Sequence, residues 1–253
     1  MTAAGFAPEW LALREPADAD ARAADLLGPL RAVLPDTRLV VLDLGCGTGS
    51  MRRWLSARLD QPQHWILQDR DPQLLELAAS TGEGSVELRD GELAALRRED
   101  LAGVSLVTAS ALLDVLTADE VDGLVTACVE AGCPALLTLT VTGRVELDPP
   151  GPWDERFEAA FNQHQRRHLL GPGAVPFTLD AFRRRGARVL TRPSPWRLDP
   201  GPLAAEWLRG WVGAACEQVP DLTASAPDYL RRADDLRVVV HHADVLAIPG
   251  PPP

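Results

Sequence analysis

A short apolar run ending in three closely spaced glycines constrains this chain more than any other feature: residues 40–50 read VVLDLGCGTGS. The stretch from Arg38 to Leu44 is rich in Val and Leu and closes on glycine, the pattern of a strand buried on both faces. Gly45, Gly47 and Gly49 then let the backbone turn sharply into a helix and approach a ligand where a Cβ would clash. From there strands and helices alternate. A helix carries Trp54, Leu55 and Leu59, a strand reads HWILQ, and a helix reads PQLLELAAS. Strands SVELR and VSLVTAS follow. The next helix opens at Thr117, with Glu120 completing a capping box, and ends near Gly132; PALLTLTVT is the fifth strand. Such alternation implies βαβ units with right-handed crossovers. The expected fold is α/β, a doubly wound, seven-stranded, mostly parallel sheet.

Outside this core the pattern loosens. Residues 16–34 place Leu26, Leu27, Leu30 and Leu34 at helical spacing, with Pro16 at the entry and Pro35 beyond the end. Residues 1–37 are therefore expected as an N-terminal helical cover on a domain spanning 38–253. Residues 146–177, after the fifth strand, surround a helix WDERFEAAFNQHQRRHLL with prolines and read as an insertion that forms a substrate lid. FTLDAFRRRG reads as a helix ended by Gly186, ARVLTR as a strand, and residues 202–217 as an amphipathic helix with Trp207, Leu208 and Trp211 on one side. LRVVVHHADVLAI alternates as a half-exposed antiparallel strand does.

Composition excludes several functions. A net charge of −11 argues against a general nucleic-acid binder, and no DNA partner is expected. All 25 basic residues are arginine, which fits a GC-rich bacterial genome. With no lysine, a lysine nucleophile or base and the phosphate-cradling GxxxxGK[ST] loop are impossible. Cys46, Cys128, Cys133 and Cys216 form no CxxC pair and read as free thiols of a reducing cytoplasm. The start, MTAAGFAPEWLALREP, lacks the charged and apolar regions of a signal peptide, and no run suits a membrane span, so a cytoplasmic chain without a membrane partner is expected.

The glycine loop selects among ligands. A dinucleotide fingerprint GxGxxG needs a third glycine at position 50, which is Ser50. The spacing present is DLGCGTG, with Asp43 two residues before the first glycine; an anion there repels a pyrophosphate and suits an ammonium or sulfonium. Over residues 38–142 this pattern resembles the class I S-adenosylmethionine-dependent methyltransferases, which have a Rossmann-like fold. The resemblance implies S-adenosyl-L-methionine as cofactor, with Asp43 serving its amino group and Gly45, Cys46, Gly47 and Gly49 supplying close backbone. It implies Asp69, in WILQDRDP and flanked by Arg70, as the carboxylate for both ribose hydroxyls; Asp71, before Pro72, suits a helix cap better. In RDGELAAL it implies Gly91, Glu92 and Leu93 around the adenine, with Glu92 on the amino group and Asp90 as competitor. Ser110 and Ala111 would line the reacting face. Arg14, in WLALREP, would reach the cofactor carboxylate or pair with Glu15 or Asp18.

Displacement at a sulfonium methyl mainly needs the acceptor aligned and water excluded. The segment after the fourth strand, ASALLDVL, lacks the Asn/Asp-Pro-Pro-aromatic motif of exocyclic-amine methylation. Cys133-Pro134 reverses the Pro-Cys order of cytosine-ring enzymes, and Thr140, Val141 and Thr142 stand where catechol-type enzymes need an acidic metal-binding pair. The resulting expectation is metal-independent methyl transfer to a small molecule, with a protein or RNA methyltransferase, or a non-catalytic cofactor- or partner-binding fold, as alternatives. Residues 151–197 hold nine arginines and four acidic residues, suggesting a pocket for a ring bearing a carboxylate or phosphate. Trp153, Phe157, Phe161, Arg166 and Arg167 are its expected contacts, although Arg166 and Arg167 equally suit a solvated helix face. His164 is the first candidate for a general base and Asp114 the second; His241 and His242 read as structural.

Overall fold

A computed structural model describes residues 7–81, 84–91 and 96–250. Among the described residues eight strands form one sheet: β1 (Leu39–Leu44), β2 (Gln63–Asp69), β3 (Ser85–Asp90), β4 (Leu106–Ser110), β5 (Ala135–Asp148), β6 (Arg188–Pro193), β7 (Trp196–Leu198) and β8 (Arg237–Ile248). Their order is β3-β2-β1-β4-β5-β8-β6, with β7 paired to β8. β1 to β5 pair in parallel, and β8 runs antiparallel to β5, β6 and β7. The helices are α1 (Pro8–Ala21), α2 (Leu27–Arg31), α3 (Ser50–Ser56), α4 (Pro72–Ser80), α5 (Ala118–Ala131), α6 (Asp154–Gln165), α7 (Ala174–Arg184), α8 (Pro202–Gln218) and α9 (Ala226–Leu230).

The period-2 geometry of β1 divides the core. Leu39 and Val41 pack with Leu26, Leu30, Met51, Trp54 and Leu75 on one side of the sheet; Leu42 and Leu44 pack with Val121, Leu124, Cys128 and Phe182 on the other. Asp43 therefore lies on the face that α1 and α3 cover. The chain leaves β1 for β2 on one side and later places β4 on the other. That topological switch point, outside the carboxyl ends of β1 and β4, is where open α/β sheets bind ligands.

The doubly wound, mostly parallel sheet matches expectation, with corrections at its borders. Residues 16–34 do not form one helix entered at Pro16. Pro16 lies inside α1, and the chain is extended at Arg22, where the Ala23 N–H donates to the Asp244 carboxylate at 2.8 Å. β7 is an additional strand, too short to show periodicity. β5 continues to Asp148, so the region expected as an insertion begins as strand, and a third core gathers there around Phe157, Trp196, Leu208, Trp211 and Tyr229. α6 stops at Gln165 instead of running through Leu170, because the Leu170 N–H is drawn to the Leu116 carbonyl at 2.8 Å. The capping box of Thr117 and Glu120 and the left-handed Gly132 stand as read from sequence.

Candidate functional site

A cavity of about 980 Å³ opens at the switch point, between the glycine loop, the ends of β2 and β4, α1, and residues 164–169. Gly45 has φ +58°, and a Cβ there would sit 2.9 Å from Leu112 Cδ1; at Gly47, φ +53°, it would lie 3.2 Å from Leu11 Cδ1. Neighbouring elements thus close onto bare backbone. Gly49 departs from its expected role: it is not a cavity wall, and its Cβ position meets Ala78 of α4 at 3.3 Å, so it serves helix packing.

Asp69 is held ready by backbone. Its Oδ2 accepts the Gly47 N–H at 2.9 Å and its Oδ1 accepts the Asp71 N–H at 3.0 Å. Parallel pairing of β1 and β2 sets this geometry, and the Cys46 N–H continues it by donating to the Gln68 carbonyl at 3.0 Å. An ionised carboxylate offers about four acceptor positions, so two remain for a ligand. Asp71 caps α4 through the Gln73 N–H. Arg70, Gly91, Ser110 and Ala111 also border the cavity, as does Cys46, whose thiol is pushed up by burial and by Asp43 and Asp69 and is no nucleophile. Glu92 and Leu93 lie outside the described residues.

Asp43 borders the cavity while being 1% exposed. Its Oδ1 accepts the Thr108 hydroxyl at 2.7 Å, and its Oδ2 is buried without a partner. Burial raises its pKa to about 7, with the Thr108 hydrogen bond and Arg22 acting downward and Asp69 upward. The folded protein therefore keeps a proton that the unfolded chain releases near pH 4. This contribution to stability is full below that pH and is lost as pH rises through 7, to an extent of about 4 kcal/mol. Asp43→Asn, which mimics the protonated form, is expected to match wild type at pH 4 and exceed it by about 2–4 kcal/mol at pH 8 in ligand-free urea melts. Equal stability at both pH values would refute this.

The N-terminal helix bears out the Arg14–Asp18 pairing offered as an alternative and adds Arg22, which the sequence reading missed. Arg14, Asp18 and Arg22 fall at i, i+4 and i+8, and all three are largely buried. Arg14 donates to both Asp18 oxygens at 3.0 and 3.2 Å and lies 4.9 Å above the Trp196 ring. It borders the cavity, but its cation is compensated by Asp18. Glu15 pairs with Arg53 at 2.6 Å. Arg22 donates from one nitrogen to Ser50 Oγ at 2.9 Å and Ser110 Oγ at 3.0 Å. The spacing signal was present; placing the helix entry at Pro16 hid it.

The far side of the cavity is mixed. Trp10, Leu11, Val115, Leu116 and Leu169 supply apolar wall, and His164, Gln165, Arg167 and His168 supply polar wall. His164 Nε2 is 3.1 Å from Glu217 Oε2 and its Nδ1 is 3.3 Å from Gln165 Nε2. Arg167 donates to Gln218 Oε1 at 2.6 Å and to the Glu217 carbonyl at 3.0 Å, which fixes its guanidinium at the rim. The other expected substrate contacts lie elsewhere. Phe157 is fully buried against Tyr229 and Trp211, Phe161 packs on the same cluster, Trp153 lies under Arg156, and Arg166 is exposed away from the cavity. Asp114 is also not a wall; it is buried, and its carboxyl is pushed up to about 6 by desolvation. His168 and Leu169 were missed because α6 was read as running through them; Gln165, on the last turn of α6, was missed too. His242 is buried against Trp196 and held neutral, its pKa lowered to about 3 by burial, whereas His241 reaches Glu146.

Residues 41–133 match the family model described as a methyltransferase domain. A structure of a candidate methyltransferase from Bacillus halodurans is similar at 13% identity and TM-score 0.53, over 90% of this chain and 100% of that one. A chain from the complex of the Trm112 methyltransferase activator with a candidate methyltransferase of Haloferax volcanii is similar at 14% identity and TM-score 0.52, over 96% and 93%. These likenesses show the fold. No curated protein matches the chain. No described helix is long and apolar enough to cross a membrane, and no described trio of His, Cys, Asp or Glu gathers as a metal site.

Proposed function

We propose that this chain is a class I S-adenosylmethionine-dependent methyltransferase that methylates a small amphipathic metabolite bound between α1 and the segment after α6. The observation that carries the reading is the cavity's division. One half has the bare glycine loop, Asp69 with acceptor capacity to spare, and the unpartnered buried Asp43 oxygen. These fit the cofactor: Asp69 would hold the ribose and Asp43 the amino group. The other half has an apolar floor with Arg167 and two histidines at its rim. Its volume is at the upper end of the roughly 300–1,000 Å³ usual for ligand pockets, with room for a second small molecule.

When bound, the cofactor supplies a methyl group already activated by its positive sulfur. The protein's task is alignment and water exclusion, which needs no metal. Trp10 and Leu11 of α1 border the cavity, so α1 acts as a cover and the segment after α6 as a substrate lid. Arg167 meets an anionic end of the acceptor. His164 takes the acceptor's proton at Nδ1 once Gln165 gives up its contact, and Glu217 steadies the resulting imidazolium from Nε2.

Incubation with S-adenosylmethionine and a desalted metabolite extract is expected to yield a product heavier by one methylene. With that acceptor, Arg167→Ala should raise KM about tenfold, and His164→Ala should lower kcat at least about 100-fold, both with unchanged affinity for S-adenosylhomocysteine. Acceptor kinetics unaffected in both variants would remove these residues from the site.

A further inference from the structure

We propose that two copies of this chain join through their β3 strands, antiparallel about a two-fold axis at Leu88, so that one sheet runs across the pair. Among the described residues β3 is the end strand of the sheet and pairs with β2 alone. An end strand offers its outer row of N–H and C=O groups as a template for another strand. The two ends of this sheet are built differently. β6 carries Arg188 and Arg192 and ends in Pro193, charges and a proline of the kind that blunt an edge. β3 has no proline, and Leu88 is 43% exposed. Leu88 stands in register with Leu67, which packs with Leu75 and Ala78 of α4. Leu77 of α4, 41% exposed, therefore lies on the same side of the sheet as Leu88.

The charges of β3 select a second copy as the occupant. A two-fold axis perpendicular to the sheet keeps equivalent faces together, so an antiparallel register is centred on one residue facing its own copy. Centred on Glu87 or on Arg89, the register sets like charges opposite each other, which is destabilising. Centred on Val86, it sets Leu88 against a glycine and Glu87 against a serine. Centred on Leu88, it stacks Leu88 on the partner's Leu88 and sets each Glu87 against the partner's Arg89. Glu87 and Arg89 already pair along the strand at 2.8 Å, on the face opposite Leu88. Signs then alternate around the axis, each charge having an opposite neighbour both along and across the strands. Such an isologous contact closes at two copies and consumes both edges. It also sets the partner's Ser85 opposite Gly91, which borders the cavity.

Sedimentation velocity of the full chain over a concentration series tests this. Wild type is expected to pass reversibly from monomer to dimer and no further. Glu87→Arg and Arg89→Glu each set like charges opposite one another twice, and each should weaken dimerisation at least about tenfold. Mixing the two variants should restore a dimer, because one then offers two arginines and the other two glutamates. E87R/R89E, which exchanges the charges, should dimerise by itself. Glu87 is exposed and Arg89 half-buried at the surface, so the Tm of each variant should stay near that of wild type. A wild type that remains monomeric at every concentration, assembly beyond the dimer, or equal dimerisation in both single variants overturns the proposal. So does a loss that neither mixing nor the charge exchange repairs.

Discussion

Asp69→Ala is expected to weaken S-adenosylhomocysteine binding by about 100- to 1,000-fold, the largest functional effect of any single substitution in this site. Two contributions combine. The first is the loss of a charged acceptor for ribose hydroxyls, where each hydrogen bond to a charged group contributes about 1.5–3 kcal/mol. The second is internal, because the same carboxylate receives the Gly47 and Asp71 N–H groups and so fixes the glycine loop against the end of β2. Asp69→Asn keeps one acceptor oxygen and much of the loop, and should lie between the two. Titration calorimetry on the three proteins measures this. An alanine variant within about threefold of wild type would show that the ribose is held elsewhere and would sink the assignment of this carboxylate.

The largest stability effect should come from Asp244, which does not line the cavity. It is 1% exposed, and its two oxygens accept the Ala23 N–H at 2.8 Å, the Leu139 N–H at 2.7 Å and the Ser194 hydroxyl at 2.5 Å. Leu139 sits at φ +58°, an uncommon conformation for a branched residue inside a strand, at a register shift between β5 and β8. One carboxylate thus secures the kink after α1, the irregularity in β5 and the approach to β7. Burial pushes its pKa up, and the Ser194, Ala23 and Leu139 donors work against that push. Asp244→Ala leaves two backbone N–H groups without a partner in the interior, at an expected cost of about 3–5 kcal/mol. That corresponds to a fall in Tm of roughly 10 °C for a chain of this size. A variant melting within 2 °C of wild type would show that water or rearrangement replaces those bonds.

How far the site was legible depended on how local its parts are. The glycine loop, Asp43 and Asp69 stand out because each is fixed by its position at the end of a buried strand, and strand ends can be found from periodicity and glycine alone. Arg22 carries no such mark. Its helix was recognised only from Pro16 onward, and its partners Ser50 and Ser110 come from two other elements. Phe157 shows the opposite failure. An aromatic residue on a helix is equally at home in a pocket or in a core, and only the packing of α8 and α9 against α6 assigns it to the core. His164 and Arg167 do reach the cavity, but they do so because α6 ends early and the segment after it is tied to Leu116 and to the end of α8.

What the amino-acid order determined by itself was the βαβ winding and the glycine turn after the first strand. Both follow from interactions within about 30 residues, where backbone geometry and apolar periodicity leave few choices. What only the tertiary structure decided was which polar partners the buried charges meet. Asp244 meets Ala23 across 221 positions and Arg22 meets Ser110 across 88. Contacts of that separation depend on how finished elements pack, and one-dimensional patterning carries no trace of it.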